Sequence, residues 1–435
     1  MFGILFILLL SGVWIGFSLM GSAMIGMLIY KLSLPPALSI WDKIGGLIAN
    51  SVWNSINSWS LTALPLFIFM GEILYRTAIS QKLLNGLLPW LSNIPGRLLH
   101  LNVVACSLFA AVSGSSAATT ATVGKITLDE LFRRGYDRGL AVGSLAGAGT
   151  LGFLIPPSLI MIIYGILSDT SIGKLFMSGI IPGLMLAGLY SLFIIIRAVI
   201  DPGVVPDSDE RYSFKEKLAA SPELLPILML ILVVLGGIYM GLTTPTEAAA
   251  IGVAGAFILA VLFKNLTWQN FKEALLSAVK TTTMICWIII GAAFLSQVVG
   301  FIGIARAISL YIAGLNLSPY LLILVVGLMY LFLGMILDGI SIVVMTLPIV
   351  LPIVTNAGFD PLWFGIFLVF MVEISQVTPP VGFSIFVIQG ISNEKVGDIL
   401  RATFPFFLIM ILMVILITIF PDIVFFLPDK MVTNR

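Results

Sequence analysis

The chain has 435 residues, 59% hydrophobic and only 10% charged, with a mean hydropathy of +1.13. A soluble domain carries about 25% charged residues, so a water-soluble fold is excluded and lipid must solvate most of the surface. The net charge of +1 gives no basic footprint, and no nucleic acid is expected as a partner.

Apolar runs recur from Met1 to Leu427. They predict helical segments at 2–30, 58–76, 83–91, 98–112, 117–131, 139–165, 175–200, 224–241, 247–263, 275–299, 302–315, 319–336, 340–355, 362–390 and 402–427. A simple span needs about 20 apolar residues; several of these are shorter, and others are long enough to be broken. The first is too long for one plain span, and Ser11-Gly12 is the expected break. No basic residues precede it, so it reads as a membrane segment rather than a cleaved leader. Residues 201–223 form the longest polar stretch, a connecting loop between halves 1–200 and 224–435. Cys106 and Cys286 lie in apolar segments without metal or disulfide spacing and read as inert core thiols.

Basic residues set the orientation. Lys125, Arg133, Arg134 and Arg138 form one group, and Arg211, Lys215 and Lys217 a second. Lys264 with Lys272, and Lys395 with Arg401, form two more. Such loops face the cytoplasm, which puts 166–174, 242–246 and 356–361 outside; Arg306 alone has no basic company.

The segment 98–131 has basic residues at both ends and Ser113-Gly114-Ser115-Ser116 in its middle. Each arm is about 15 residues, or about 22 Å of helix, short of the roughly 30 Å hydrocarbon core. A hairpin that enters and leaves on the cytoplasmic side fits. Residues 319–355 read as a second hairpin entering from outside, with its turn at Leu337-Asp338-Gly339-Ile340-Ser341.

An internal repeat ties these features together. Pro156-Pro157 and Pro379-Pro380 stand 223 residues apart, as do Pro182 and Pro405, and the two hairpin turns superpose at that offset. Opposite entry sides make the repeat inverted. Proline removes a donor and clashes with the preceding turn, so helices 139–165 and 362–390 should unwind at 152–158 and 375–382. The expected fold is therefore an all-α polytopic membrane protein with two re-entrant hairpins and two Pro-Pro-broken helices. Inverted repeats with broken helices and a midplane site characterise secondary transporters.

Freed carbonyls and hydroxyls are hard oxygen ligands suited to Na⁺, and half-helix N-termini suit an anion. One cation seat is expected between the first tip and first break, using Ser113, Gly114, Ser115 and Gly152. A second should use Gly334, Asp338, Gly339, Ser341, Ser375 and Thr378. Substrate contacts are expected from Ser115, Ser116, Ser158, Asp338 and Gly382. For any single element, a plain kink or close helix packing competes with this reading; four elements in one register favour it. Among intramembrane acids, Glu72 reads as an ion pair with Arg76, Glu373 as bracing or ion coordination, and Asp338 as a ligand or cation contact. His100 sits at a membrane edge, where a solvated or interfacial role is expected.

Enzymatic motifs fail. Gly124-Lys125 and Gly173-Lys174 are each followed by an aliphatic residue, so no phosphate-binding loop forms. No His-Glu-x-x-His motif is present, and one edge histidine is poor support for a serine hydrolase. A channel would need a continuous polar path, against which the hairpins argue.

Further motifs carry a family resemblance. They are the run from Leu64-Pro65-Leu66-Phe67 to Gly71-Glu72-Ile73-Leu74, Ser113-Gly114-Ser115-Ser116-Ala117-Ala118-Thr119, Ile155-Pro156-Pro157-Ser158 with Tyr164-Gly165, Thr244-Pro245-Thr246-Glu247-Ala248-Ala249-Ala250 and Thr378-Pro379-Pro380-Val381-Gly382. Over essentially its whole length the chain resembles the large membrane subunit (M, DctM type) of tripartite ATP-independent periplasmic (TRAP) transporters. Its hairpins and breaks are also similar to those of divalent-anion/sodium symporters. The resemblance implies a bacterial inner-membrane protein, a periplasmic substrate-binding protein and a small four-helix membrane subunit as partners. It further implies Na⁺ as coupling ion, an elevator motion, and organic acids, sulfonates or compatible solutes as substrates. The alternative is an H⁺-coupled or stand-alone anion carrier of the same fold.

Overall fold

The computed structural model describes residues 1–29, 40–77, 79–206, 212–263, 266–304, 307–308, 310, 314, 317–379 and 382–431. Pro380, Arg211, Lys264 and Arg306 lie outside the described residues, as does much of the segment expected at 302–315. Every regular element among the described residues is helical.

Six described helices are long and apolar enough to cross a bilayer, or eight if two bent pairs are each counted as one span. The first apolar run does break at Ser11-Gly12, giving helices Phe2–Leu10 and Ile15–Ile29. Helix Trp268–Ile302 runs for 35 residues, about 52 Å at 1.5 Å per residue. A helix at Ile40–Ile56 has no counterpart among the expected segments. Asp42, Asn50 and Asn54 break up its hydropathy, while Trp41 and Trp53 are exposed, the mark of an amphipathic helix. Within the polar connector, Phe214–Ala220 is also helical, started by a reciprocal Ser213–Glu216 capping box.

The first hairpin comprises Leu99–Ser113 and Ser116–Arg134. The second comprises Pro319–Gly334 and Gly339–Asn356. Its turn lies earlier than expected, at 335–338: the first arm already ends at Gly334, and Gly339, Ile340 and Ser341 belong to the second arm, where the Asp338 carboxylate accepts from the free Ile340 and Ser341 N–H groups. The first broken helix runs Arg138–Gly149, Leu151–Leu154 and Leu159–Ser168, so unwinding begins at Ile155 rather than Gly152. The second runs Pro361–Gln376 and Phe383–Ser392, leaving Ser375 helical and Val377 the first residue out.

Cap residues keep the repeat register. Ser115 and Asp338 each start the second arm of a hairpin, and Asp137 and Asp360 each start a broken helix, all at the 223-residue offset.

Burial shows which parts are central. The best apolar window of the first broken helix is 89% buried, whereas that of Val396–Ile419 is only 28% buried. Leu99–Ser113, the first broken helix and Pro361–Gln376 thus form the packed centre, whereas Pro319–Gly334 and Val396–Ile419 turn flanks outward. A second group lies alongside and touches both hairpins: Ile15–Ile29, Ala63–Tyr75 and Pro245–Leu262 all pack against one another or on Trp268–Ile302. Close approach in this group needs glycine, since a Cβ on Gly291 would meet the Gly16 carbonyl at 2.7 Å. Glu72 pairs with Arg76 at 3.3 Å as expected, and Arg76 also reaches Glu273 at 2.7 Å, while Ser277 donates to Glu72. On the face assigned to the cytoplasm, Arg138 meets Glu394 at 2.7 Å and joins two of the basic groups. His100 departs from expectation. It is 2% exposed, its Nε2 lies 2.7 Å from the Pro95 carbonyl, and so it is packed rather than solvated.

Candidate functional site

At the first tip, Gly114 adopts a left-handed conformation that ends one arm (φ 61°), and Ser115 caps the next. The tip is bonded directly to the first break. Leu159 N–H donates to the Gly114 carbonyl at 3.2 Å, and a Cβ on Gly114 would meet the Pro157 carbonyl at 2.7 Å. Gly152 backs onto the tip from the other side, where a Cβ would overlap Ser116 Cα and lie 2.6 Å from its nitrogen. The glycine is therefore required for close approach rather than for unwinding. Ser113 and Thr119 hydroxyls pair at 2.7 Å, and Ser158 is buried as the cap of Leu159–Ser168. Ser113, Gly114, Ser115, Ser116, Gly152, Pro156, Pro157 and Ser158 thus come together in one patch, buried except for the half-buried Ser115.

The second tip rests on the last turn of Pro361–Gln376. A Cβ on Gly334 would overlap the Ser375 side chain, and one on Gly339 would overlap Val372 and lie 3.3 Å from Gln376 Nε2. Asp338 Oδ2 accepts from Ile340 N–H at 3.1 Å and Ser341 N–H at 3.3 Å, and Ser341 Oγ donates to Oδ1. Ser375 and Thr378 hydroxyls donate to the Val372 and Ile374 carbonyls. Gly382 is left-handed (φ 41°), and a Cβ there would lie 3.2 Å from the Thr378 carbonyl. Gly334, Asp338, Gly339, Ser341 and Ser375 therefore form the second cluster, and Thr378, Pro379 and Gly382 follow on the break.

Glu373, expected from sequence to brace a helix or coordinate an ion, makes contacts that the sequence did not show. It spans the repeats: its Oε1 accepts from Ser116 Oγ and, at 2.9 Å, from Phe153 N–H. Its depth and charge were the available signals, but nothing in the sequence says that it crosses to the other repeat. A cavity of about 1180 Å³ opens between the second tip and the second helix group, lined by Trp14, Lys280, Thr283, Trp287, Leu337 and Asp338 among others. Of the five expected substrate contacts, Asp338 lines it, whereas Ser116 and Ser158 are fully buried in the tip–break interface. Lys280, a cation inside an apolar segment, is the missed polar contributor. It has no acidic partner among the described residues.

Both clusters consist of hydroxyls, main-chain groups and single carboxylates. No group of three or more His, Cys, Asp or Glu residues that could hold a metal is found among the described residues. Oxygen donors of this kind suit a hard cation rather than a soft one.

The sequence matches the family described as "Tripartite ATP-independent periplasmic transporter, DctM component" over residues 2–423. The chain belongs to this DctM family. It is 35% identical to the C4-dicarboxylate TRAP transporter large permease protein DctM of Pseudomonas aeruginosa, covering 92% of this chain and 94% of that one. It is 32% identical to the isethionate TRAP transporter permease protein DctMQ of Oleidesulfovibrio alaskensis, covering 87% of this chain and 60% of that longer one. The fold is similar to that of the YdaH transporter of Alcanivorax borkumensis, with a TM-score of 0.66, 12% identity, and coverage of 94% and 99%. As a DctM-family large permease, the chain is an integral membrane protein and a secondary transporter that works with a small membrane subunit and a periplasmic substrate-binding protein.

The family motifs now have physical roles. Thr244-Pro245-Thr246-Glu247 is a capping box that starts helix Pro245–Leu262, with Thr244 N–H donating to Glu247 at 2.7 Å. Gly71 lets its helix touch the first tip, where a Cβ would meet Ser113 Cα at 3.2 Å.

Proposed function

We propose that this permease imports a small organic acid across the bacterial inner membrane in symport with Na⁺. One cation sits at each tip cluster, and the hairpins with the broken helices move as an elevator against the second helix group. The observation that carries this reading is the paired construction: two hairpin tips, each seated at a helix break, at matching repeat positions. Unwound backbone and hydroxyls at mid-membrane are the elements from which secondary transporters build ion sites. Ser113, Gly114, Ser115 and Gly152 belong to the first seat, and Gly334, Asp338, Gly339, Ser341, Ser375 and Thr378 to the second.

The substrate occupies the cavity beside the second tip, where Lys280 meets its anionic group. A lysine at membrane depth is costly unless it has a function or a partner. The cargoes named for two relatives, C4-dicarboxylates and isethionate, are anions that such a lysine would attract.

The test is uptake of labelled organic acids into proteoliposomes holding this chain with its small subunit. The cognate binding protein is added, with and without an inward Na⁺ gradient. Uptake that requires both the binding protein and Na⁺ is expected. Uptake driven by a pH gradient and indifferent to Na⁺ would overturn the coupling ion, and uptake without the binding protein would make this a stand-alone carrier.

A further inference from the structure

The last turn of helix Pro361–Gln376 touches both tip clusters within five residues. Glu373 reaches across to the first repeat, where Ser116 Oγ and Phe153 N–H both donate to its Oε1. Ser375 stands where a Cβ on Gly334 would fall, while Val372 and Gln376, one turn apart on a shared face, pack on Gly339. Glu373 is 1% exposed, and its Oε2 has no hydrogen-bond partner among the described residues; Gln376 Oε1 is likewise buried without one. The first repeat lacks this arrangement. At the 223-residue offset Glu373 corresponds to Thr150, whose hydroxyl donates to the Gly147 carbonyl of its own helix and lies 3.3 Å from Tyr190 Oη. A single rigid turn is therefore the wall of one cluster and the clasp of the other.

We propose that Glu373 is a positioning residue that couples the two seats. A cation settling at the second tip fixes Ser375 and Gln376. The same helical turn then holds Glu373 so that Ser116 and Phe153 keep the first tip closed on the first break. This rests on the Na⁺-symport reading for its ion, but the clasp itself is a statement about geometry. Two sites that bias one element bind cooperatively. What the clasp needs is an acceptor oxygen at Oε1, which glutamine also supplies, with its amide nitrogen taking the place of the unpaired Oε2.

The test uses the complex with its small subunit, comparing native protein, Glu373→Gln, Glu373→Ala and Ser116→Ala. Uptake is titrated with Na⁺, with choline as replacement, and hydrogen exchange is followed at residues 113–117. In Glu373→Ala the Na⁺ concentration for half-maximal uptake should rise about tenfold, from the loss of the buried acceptor that Ser116 and Phe153 share. The Hill coefficient should fall toward about 1. Exchange at the first tip should become faster and lose its response to Na⁺. Glu373→Gln should stay within about threefold of native on all three readouts, because both acceptor bonds survive. Ser116→Ala, which keeps the Phe153 bond, should fall between them and serves if Glu373→Ala does not fold. A Glu373→Gln variant as impaired as Glu373→Ala would overturn the proposal, since charge rather than position would then be the requirement. So would tip exchange in Glu373→Ala equal to native. That second outcome is read in any cation, so it separates a failed clasp from a failed Na⁺ reading, which shows as native uptake indifferent to Na⁺.

Discussion

Ser115 and Asp338 begin the second arms of the two hairpins at the same repeat position, yet their surroundings differ. Around Ser115 the tip meets main chain, namely the Pro157 carbonyl, the Leu159 N–H and the backbone side of Gly152, together with the Glu373 carboxylate that accepts from Ser116. Ser113, Gly114 and Ser116 are buried there. Around Asp338 the tip meets side chains, those of Val372, Ser375 and Gln376, and its outer edge faces a cavity, with Ile336 47% exposed. The first tip is thus locked into the centre, while the second lies where a ligand can reach it. Duplicated sequence gives the same hairpin twice, but the neighbours decide which copy is rigid.

The largest expected effect tests that difference directly. Gly152→Ala drives a methyl group into the Ser116 backbone, which cannot rotate away, and should cost about 3 kcal/mol. Gly334→Ala should be comparably harmful, but its obstacle is the Ser375 side chain. Adding Ser375→Gly should recover most of the loss, less about 1 kcal/mol for a glycine in a helix. Thermal unfolding of the purified complex measures both. If Ser375→Gly gave no rescue, the view that side chains, not backbone, limit the second tip would be wrong.

Asp338→Asn separates two duties of the second tip. Asparagine caps as well as aspartate, so unfolding should shift by less than about 0.5 kcal/mol, whereas Asp338→Ala should lose about 1 kcal/mol. The charge is gone in both. If Asp338 faces the cation, the Na⁺ concentration for half-maximal uptake should rise about tenfold, roughly 1.4 kcal/mol, even in the well-folded asparagine variant. An unchanged Na⁺ titration would reduce Asp338 to a cap.

The two tips also differ in how far the sequence revealed them. Hairpins, breaks and the repeat were legible because proline and glycine act locally: Gly114, Pro156-Pro157 and Gly382 mark their own turns. Capping was partly legible, which is why the second turn was expected at 337–341 rather than 335–338; nothing short-range showed that Gly334 ends the first arm or that Asp338 rather than Ser341 starts the next. The amphipathic helix Ile40–Ile56 escaped because apolar length was the criterion. Glu373 and Lys280 were visible as charges in apolar segments, but their roles arise from contacts between residues more than 200 positions apart in one case and from a cavity in the other. Such relations leave no periodicity to read.

Lys280 lies on helix Trp268–Ile302, in the wall of the cavity that also reaches Asp338. Lys280→Ala should raise the substrate concentration for half-maximal uptake of an anionic cargo about tenfold, roughly 1.4 kcal/mol, and leave the Na⁺ titration unchanged. Lys280→Arg should retain most of the affinity, because the charge persists. Uptake kinetics over substrate and Na⁺ check this, and a shift in the Na⁺ titration instead would place Lys280 with the seats.

The smallest effect contrasts the hydroxyls of the two tips. Ser113 pairs with Thr119 at 2.7 Å, and Thr119 is fully buried. Ser113→Ala removes that partner where water does not reach, a cost of about 1 kcal/mol. Ser341 donates to Asp338, but Asp338 also accepts two backbone N–H groups and is exposed to the cavity. Ser341→Ala should therefore cost less than about 0.5 kcal/mol, since the backbone caps remain and water replaces the hydroxyl. Unfolding of the two alanine variants side by side measures the gap. Equal losses would mean that the second tip is as dry as the first, and its openness to ligand would have to be sought in motion rather than in the resting structure.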